Sequence, residues 1–372
     1  MPLLAAPEPA GPGGMRAMQS DYMHWAKFKP LVRFPLTGSE PPHFRMDSLD
    51  WTIPDLDLDG ASHPRYGALR ERIAARYGVA VDQVVSADGT SMANFLAMAA
   101  LISPGDEVLV EHPAYEPLLA AVSFVGAKVR RFERRPEDDF RLDPAAVDAA
   151  LTDATRLVVL TNMHNPSGVL AGEEELALVG ALANARGARV LIDEVYLDAA
   201  SPRPNSAVHL GPEFVTTASL TKVYGLSGLR CGWILAEPAL AERIWRLNDL
   251  FVVNRAHADE RLACIAFDQL DAVIGESPGM LQRNRGLFND FLASRKDLDC
   301  APAIHGLTAF PRWLGGDTER LDAVLHDRYE TAIVPGRWFE MPGHFRIGFG
   351  ISTSDFAEGL SRLGAALDDL RP

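Results

Sequence analysis

The segment S-L-T-K-V-Y-G-L-S-G-L-R, Ser219 to Arg230, sets a hydroxyl, a primary amine and a guanidinium within a dozen residues, with glycines at Gly225 and Gly228. Lys222 is the only lysine between Lys128 and Lys296. An isolated amine in a glycine-rich turn with apolar flanks is suited to forming a Schiff base. Ser219 and Arg230, on either side, are groups that hold a phosphate dianion.

Three further motifs carry polar side chains at the ends of apolar runs. In D-G-T-S, Asp88 to Ser91, the residues Gly89, Thr90 and Ser91 open an apolar helix and turn N–H groups and hydroxyls toward an anion. The same residues also serve as an ordinary helix cap. In N-M-H-N-P-S-G, 162–168, Asn165 stands in a Pro/Gly turn, where its amide can donate a hydrogen bond above the preceding strand. In I-D-E-V-Y, 192–196, Asp193 closes an apolar strand, a place where a carboxylate needs either solvent or a facing cation. Tyr196 follows within reach of the same space. A ligand with a phosphate, an aldehyde and a ring nitrogen answers all four motifs, and pyridoxal 5′-phosphate has the three.

Elements that could position these groups are legible upstream and downstream. V-V-S, E-V-L-V, A-K-V-R-R-F, R-L-V-V-L and A-R-V-L-I-D are apolar runs of strand length, with helical patterns between several of them. Such alternation predicts an α/β fold with a largely parallel sheet covered by helices on both faces, whose ligands sit beyond the carboxyl ends of the strands. After about Asn254 the pattern shifts to long helices, with H-F-R-I-G-F-G as a late strand. Residues 46–255 are therefore expected to form a large domain, and residues 1–45 and 256–372 a smaller α+β domain built from both chain ends.

Composition narrows the function further. The 372 residues carry a formal charge of −14, which argues against a nucleic-acid surface. Three scattered cysteines suit neither a disulfide framework nor a metal site, so no metal is expected and a reducing, cytoplasmic setting is the default. The Pro/Gly-rich first 14 residues read as a flexible arm rather than a signal peptide, and no apolar run approaches a membrane span.

In combination the motifs resemble the class I/II aminotransferases of the fold-type I pyridoxal-phosphate enzymes, from about Gly38 to Gly350. The resemblance implies a seven-stranded, mostly parallel sheet, a shared-site homodimer, and an amino acid and a 2-oxo acid as substrates. It makes Lys222 the lysine that forms the internal aldimine and shuttles a proton. It makes Asp193 the partner of the pyridine nitrogen, and Asn165 and Tyr196 the partners of the ring oxygen. Gly89, Thr90, Ser91, Ser219 and Arg230 become the phosphate cup, joined by Tyr66 from the neighbouring subunit, and Tyr115 the aromatic stacked on the ring. Arg346 and Gly38 are similar to the groups that take the substrate α-carboxylate. The same scaffold supports β-lyases, decarboxylases, oxidases and cyclases, which share these residues. A dicarboxylate substrate would ask for a second arginine, for which Arg65 and Arg255 are candidates. The N-terminal Tyr22, Trp25, Lys27 and Phe28 are expected either at the site entrance or against a partner subunit.

Overall fold

A computed structural model describes residues 19–58 and 62–371; the arm read in the first 14 residues lies outside that range. Seven strands form the central sheet: β1 (Val84–Asp88), β2 (Glu107–His112), β3 (Lys128–Glu133), β4 (Thr155–Thr161), β5 (Arg189–Asp193), β6 (Phe214–Ser219) and β7 (Cys231–Leu235). Their order is β1-β7-β6-β5-β4-β2-β3, with β7 antiparallel to both neighbours and the other pairings parallel.

The apolar runs of these strands are explained by burial on both faces. Val108, Val110, Val159 and Leu191 face one layer, where helix α1 (Gly89–Leu101) and the helices Glu116–Val125 and Pro238–Asn248 pack. Leu109, Val158, Leu160 and Ile192 face the other, under the helices Pro144–Ala150 and Glu173–Asn184. Each such side chain contributes roughly 1.5–3 kcal/mol when fully buried.

Two of the strands, β6 and β7, escape the sequence pattern. They carry Thr216, Thr217 and Gly232 among their apolar residues, and these interruptions hide the run. Gly232 is there for a steric reason: a Cβ on it would lie 2.5 Å from the carbonyl carbon of Gly89. Its absence lets β7 pass under the turn by which β1 enters α1.

Beyond residue 256 the helices His257–Asp268, Ser277–Ala293, Thr318–Tyr329 and Thr353–Asp369 surround short strands. Phe345–Gly348 pairs antiparallel with Thr308–Ala309 and Val334–Pro335. The N-terminal strand Phe34–Pro35 runs parallel to Thr331–Ala332, so both ends of the chain meet in this part of the molecule. No helix among the described residues is long and apolar enough to cross a membrane.

Candidate active site

The carboxyl ends of β1, β4, β5 and β6 bring Asp88, Thr161, Asp193 and Ser219 to one side of the sheet. A cavity of about 750 Å³ lies beyond these ends. Thr90, Ser91, Tyr115, Asn165, Asp193, Tyr196, Lys222, Arg230, Gly38 and Arg346 all line it. Sequence positions from 38 to 346 thus converge on one space.

At one end, α1 starts directly from β1. Gly89 has φ +77°, a conformation that favours glycine, and a Cβ there would come within 2.3 Å of Arg230 Nη2. Thr90 Oγ1 donates to Ser219 Oγ at 2.7 Å, and Ser219 Oγ lies 2.6 Å from Thr221 Oγ1. Arg230 donates from Nη2 to the Asp88 carbonyl at 3.1 Å and from Nη1 to that of Ser227 at 3.2 Å. Hydroxyls, a guanidinium and a helix N-terminus therefore share one corner, the arrangement that holds a phosphate.

Asp193 is almost fully buried at the end of β5. Its Oδ2 accepts from Asn94 Nδ2 at 2.8 Å and its Oδ1 from the Val195 N–H at 3.0 Å. Burial pushes its pKa up to about 6, against the lowering effect of those donors and of the Lys222 charge. Asn94 is held in turn by Thr217, whose hydroxyl donates to Asn94 Oδ1 at 2.6 Å. An ionised carboxylate so placed lacks only a close cation.

Lys222 follows β6, with Nζ 3.3 Å from Glu40 Oε2. Burial acts to lower its pKa, but Tyr196, Glu40 and Tyr22 outweigh that effect and hold it above the ordinary lysine value. Burial lowers Lys29, another lining residue, to about 8, helped by the nearby Arg346 charge.

Arg346 is only 2% exposed. Its Nη1 donates to Asn165 Oδ1 at 3.0 Å, and its Nη2 to Tyr22 Oη at 3.1 Å and to the Thr37 carbonyl at 3.3 Å. All these partners are neutral, and its buried Nε has none. A desolvated guanidinium with neutral neighbours is set up for an incoming carboxylate. Because Asn165 turns its oxygen to Arg346, its amide N–H groups are left for the cavity. The Asn165 backbone is tied to Thr161 Oγ1 at 2.9 Å, and Thr161 to the fully buried Glu111–Arg134 pair.

Several sequence candidates lie outside the cavity. Arg255 does not enter the cavity: its Nε pairs with Asp88 at 2.8 Å and its Nη2 with the Arg230 carbonyl at 2.8 Å, so it braces Asp88 and Arg230 from behind. Arg65 stacks on Trp245 and pairs with Glu242. Tyr66 is outside the cavity of its own chain, where its hydroxyl accepts from Arg261 at 3.1 Å and its ring packs edge-on to His257. Of the N-terminal residues, Tyr22, Trp25 and Lys27 line the cavity, and Phe28 is exposed.

Glu40, Asn94, Thr217 and Tyr22 were not singled out as contacts of the reactive groups by sequence reasoning. For Asn94 a signal exists: it stands four residues after Thr90, on the same face of α1. The others reach the site only through tertiary packing.

The profile of the aminotransferase class I and II family matches residues 58–363. Among curated proteins the chain is 33% identical to capreomycidine synthase of Streptomyces vinaceus, over 80% of this chain and 78% of that one. It is 29% identical to an arginine–pyruvate transaminase of Pseudomonas aeruginosa, covering 82% and 81% of the two chains. In fold it resembles a PLP-dependent aminotransferase from Streptococcus suis, with a TM-score of 0.88 at 21% identity, covering 96% of this chain and all of that one.

The cofactor of this family fits the residues present. The phosphate corner is kept open by a glycine whose Cβ would collide with Arg230. The buried Asp193 carboxylate is short of a close cation, which a protonated ring nitrogen would supply. The chain is thus a class I/II aminotransferase family member, a fold-type I enzyme that depends on pyridoxal 5′-phosphate.

Proposed function

We propose that the enzyme moves the α-amino group of an L-amino acid to a 2-oxo acid. Pyridoxal phosphate, when bound, supplies the electron sink for the charge that develops at the substrate α-carbon. Lys222 would bind the coenzyme covalently at rest and, once displaced by substrate, would serve as the base that takes the α-proton and the acid that gives it back. Asp193 keeps the ring nitrogen protonated, held in position by Asn94 and the Val195 N–H. Asn165 and Tyr196 would donate to the ring oxygen, Tyr115 would cover the ring face, and Gly89, Thr90, Ser91, Ser219 and Arg230 would hold the phosphate. Arg346 grips the α-carboxylate, with the backbone at Gly38 beside it.

The observation that carries this reading is the convergence, in one cavity, of an amine, a buried carboxylate lacking a cation and a buried guanidinium lacking an anion. A coenzyme and an amino acid would neutralise all three together.

We further propose a homodimer in which Tyr66 reaches the phosphate of the partner's site, since in its own chain it faces away from the cavity. A large domain over 46–255 and a smaller one from 1–45 and 256–372 are the corresponding division. A cytoplasmic setting suits the three unpaired cysteines.

Incubation of the holoenzyme with single amino acids, without an oxo acid, tests the reaction. Transamination converts the coenzyme once to its pyridoxamine form and releases one oxo acid per site. Sustained release of ammonia or pyruvate would overturn it. A second reading, ring closure after the same first steps, draws on the relative named capreomycidine synthase. It would appear in that experiment as a cyclised product with no net loss of the amino group.

A further inference from the structure

Asp193 and Glu40 are the two carboxylates among the described residues that line the cavity. Asp193 is accounted for by the ring nitrogen. Glu40 is not, yet its Oε2 stands 3.3 Å from Lys222 Nζ.

Its position is built in rather than incidental. Gly350 lies so close that a Cβ there would sit 1.7 Å from the Glu40 carbonyl oxygen, and one on Gly348 would sit 1.4 Å from that of Gly38. Both glycines follow Arg346 on the same strand and its continuation. The backbone that presents the α-carboxylate arginine is therefore also the seat for residues 38–40. The other charged or titratable groups facing Lys222 are Tyr196 after β5, Tyr22 in the helix Asp21–Phe28, Arg346 and Asp193.

We infer that Glu40 is a positioning residue for Lys222, holding it as an ammonium in the coenzyme-free chain, so that a proton must leave to solvent before the nitrogen attacks a carbonyl. The inference rests on Lys222 being the residue that binds the coenzyme. In that step the Nζ proton leaves to water, giving a neutral amine beside the Glu40 carboxylate. The amine lone pair then forms the C–N bond at the aldehyde carbon. The aldehyde oxygen leaves as water with the two remaining amine hydrogens.

The direction of the effect follows from the balance at Lys222. Burial and Arg346 lower its pKa, while Tyr196, Glu40 and Tyr22 raise it and win. Removing the Glu40 charge shifts that balance downward.

The test mixes full-length, coenzyme-free protein with pyridoxal phosphate across pH 6–10, following the absorbance change on attachment, with borohydride fixation and peptide mass locating it on Lys222. In the wild type the rate should still rise at pH 9. Glu40→Gln should attach several-fold faster at pH 7 and level off at a lower pH, and Glu40→Asp should restore the wild-type profile. Superimposable profiles for wild type and Glu40→Gln would overturn the role of Glu40 while leaving Lys222 in place. Failure of the wild type to fix the coenzyme on Lys222 would overturn both. Should Glu40→Gln not fold, competitive acetylation of the wild-type chain decides the matter: Lys222 must titrate above an ordinary lysine, and a lower value refutes the pair.

Discussion

Asp193→Asn should make the coenzyme-free protein more stable while removing most of its turnover. Burial raises the Asp193 pKa from the ordinary 3.8 to about 6. Between those values the unfolded chain has released its proton and the folded one has not, so stability falls as pH rises through this window and then levels off. At neutral pH the cost is at most ~3 kcal/mol, since each pKa unit corresponds to about 1.4 kcal/mol. An asparagine carries no such cost.

The neighbours can absorb the change. Asparagine offers one acceptor where aspartate offers two, so its NH₂ would first face the Asn94 NH₂. A half-turn of the Asn94 amide presents Oδ1 instead and leaves its NH₂ to the Thr217 hydroxyl, which can accept. The Val195 N–H keeps the asparagine oxygen. A net gain of roughly 1–3 kcal/mol should remain above pH 6.5 and shrink toward zero near pH 4. With coenzyme bound, Asp193 gains a cation and the order should reverse.

Urea unfolding of both proteins, with and without coenzyme, at several pH values between 4 and 8 measures this directly. A coenzyme-free variant no more stable than the parent at pH 7.5, or a difference that does not grow with pH, would refute the account of Asp193 as a carboxylate held at a cost for its cation. So would normal turnover in the variant.

If Arg346 takes the substrate carboxylate as proposed, Arg346→Ala should lower kcat/KM by about 100-fold or more, mainly through KM, since each lost charged hydrogen bond costs about 1.5–3 kcal/mol. Steady-state kinetics with and without an added carboxylate inhibitor would check it. Gly89→Ala strains a backbone at φ +77° by about 1–2 kcal/mol and pushes a methyl into Arg230; pyridoxal phosphate affinity, read by equilibrium dialysis, should drop tenfold or more. If Tyr66 serves the partner's site, mixing Lys222→Ala chains with Tyr66→Ala chains should regain activity that neither shows alone. A hybrid no more active than its parents would place Tyr66 in a purely intrachain role.

The amino-acid sequence alone determined the sheet class and the main chemistry-bearing motifs. Strands buried on both faces must be apolar along their length, and a parallel sheet ends its strands on one side, so D-G-T-S, N-P-S-G, D-E-V-Y and S-L-T-K could be placed together without coordinates. β6 and β7 stayed hidden because their threonines and Gly232 answer to neighbours rather than to strand periodicity. Glu40, Thr217 and Tyr22 were placed at the site only by the tertiary structure. Glu40 depends on two glycines more than 300 residues away that let the backbone at 38–40 lie against the strand of Arg346. Arg255, attractive in the sequence as a second substrate arginine, is claimed instead by Asp88. Local pattern encodes which face of an element is buried, whereas the partner of a polar group is set by packing between distant segments, which no single stretch of sequence contains.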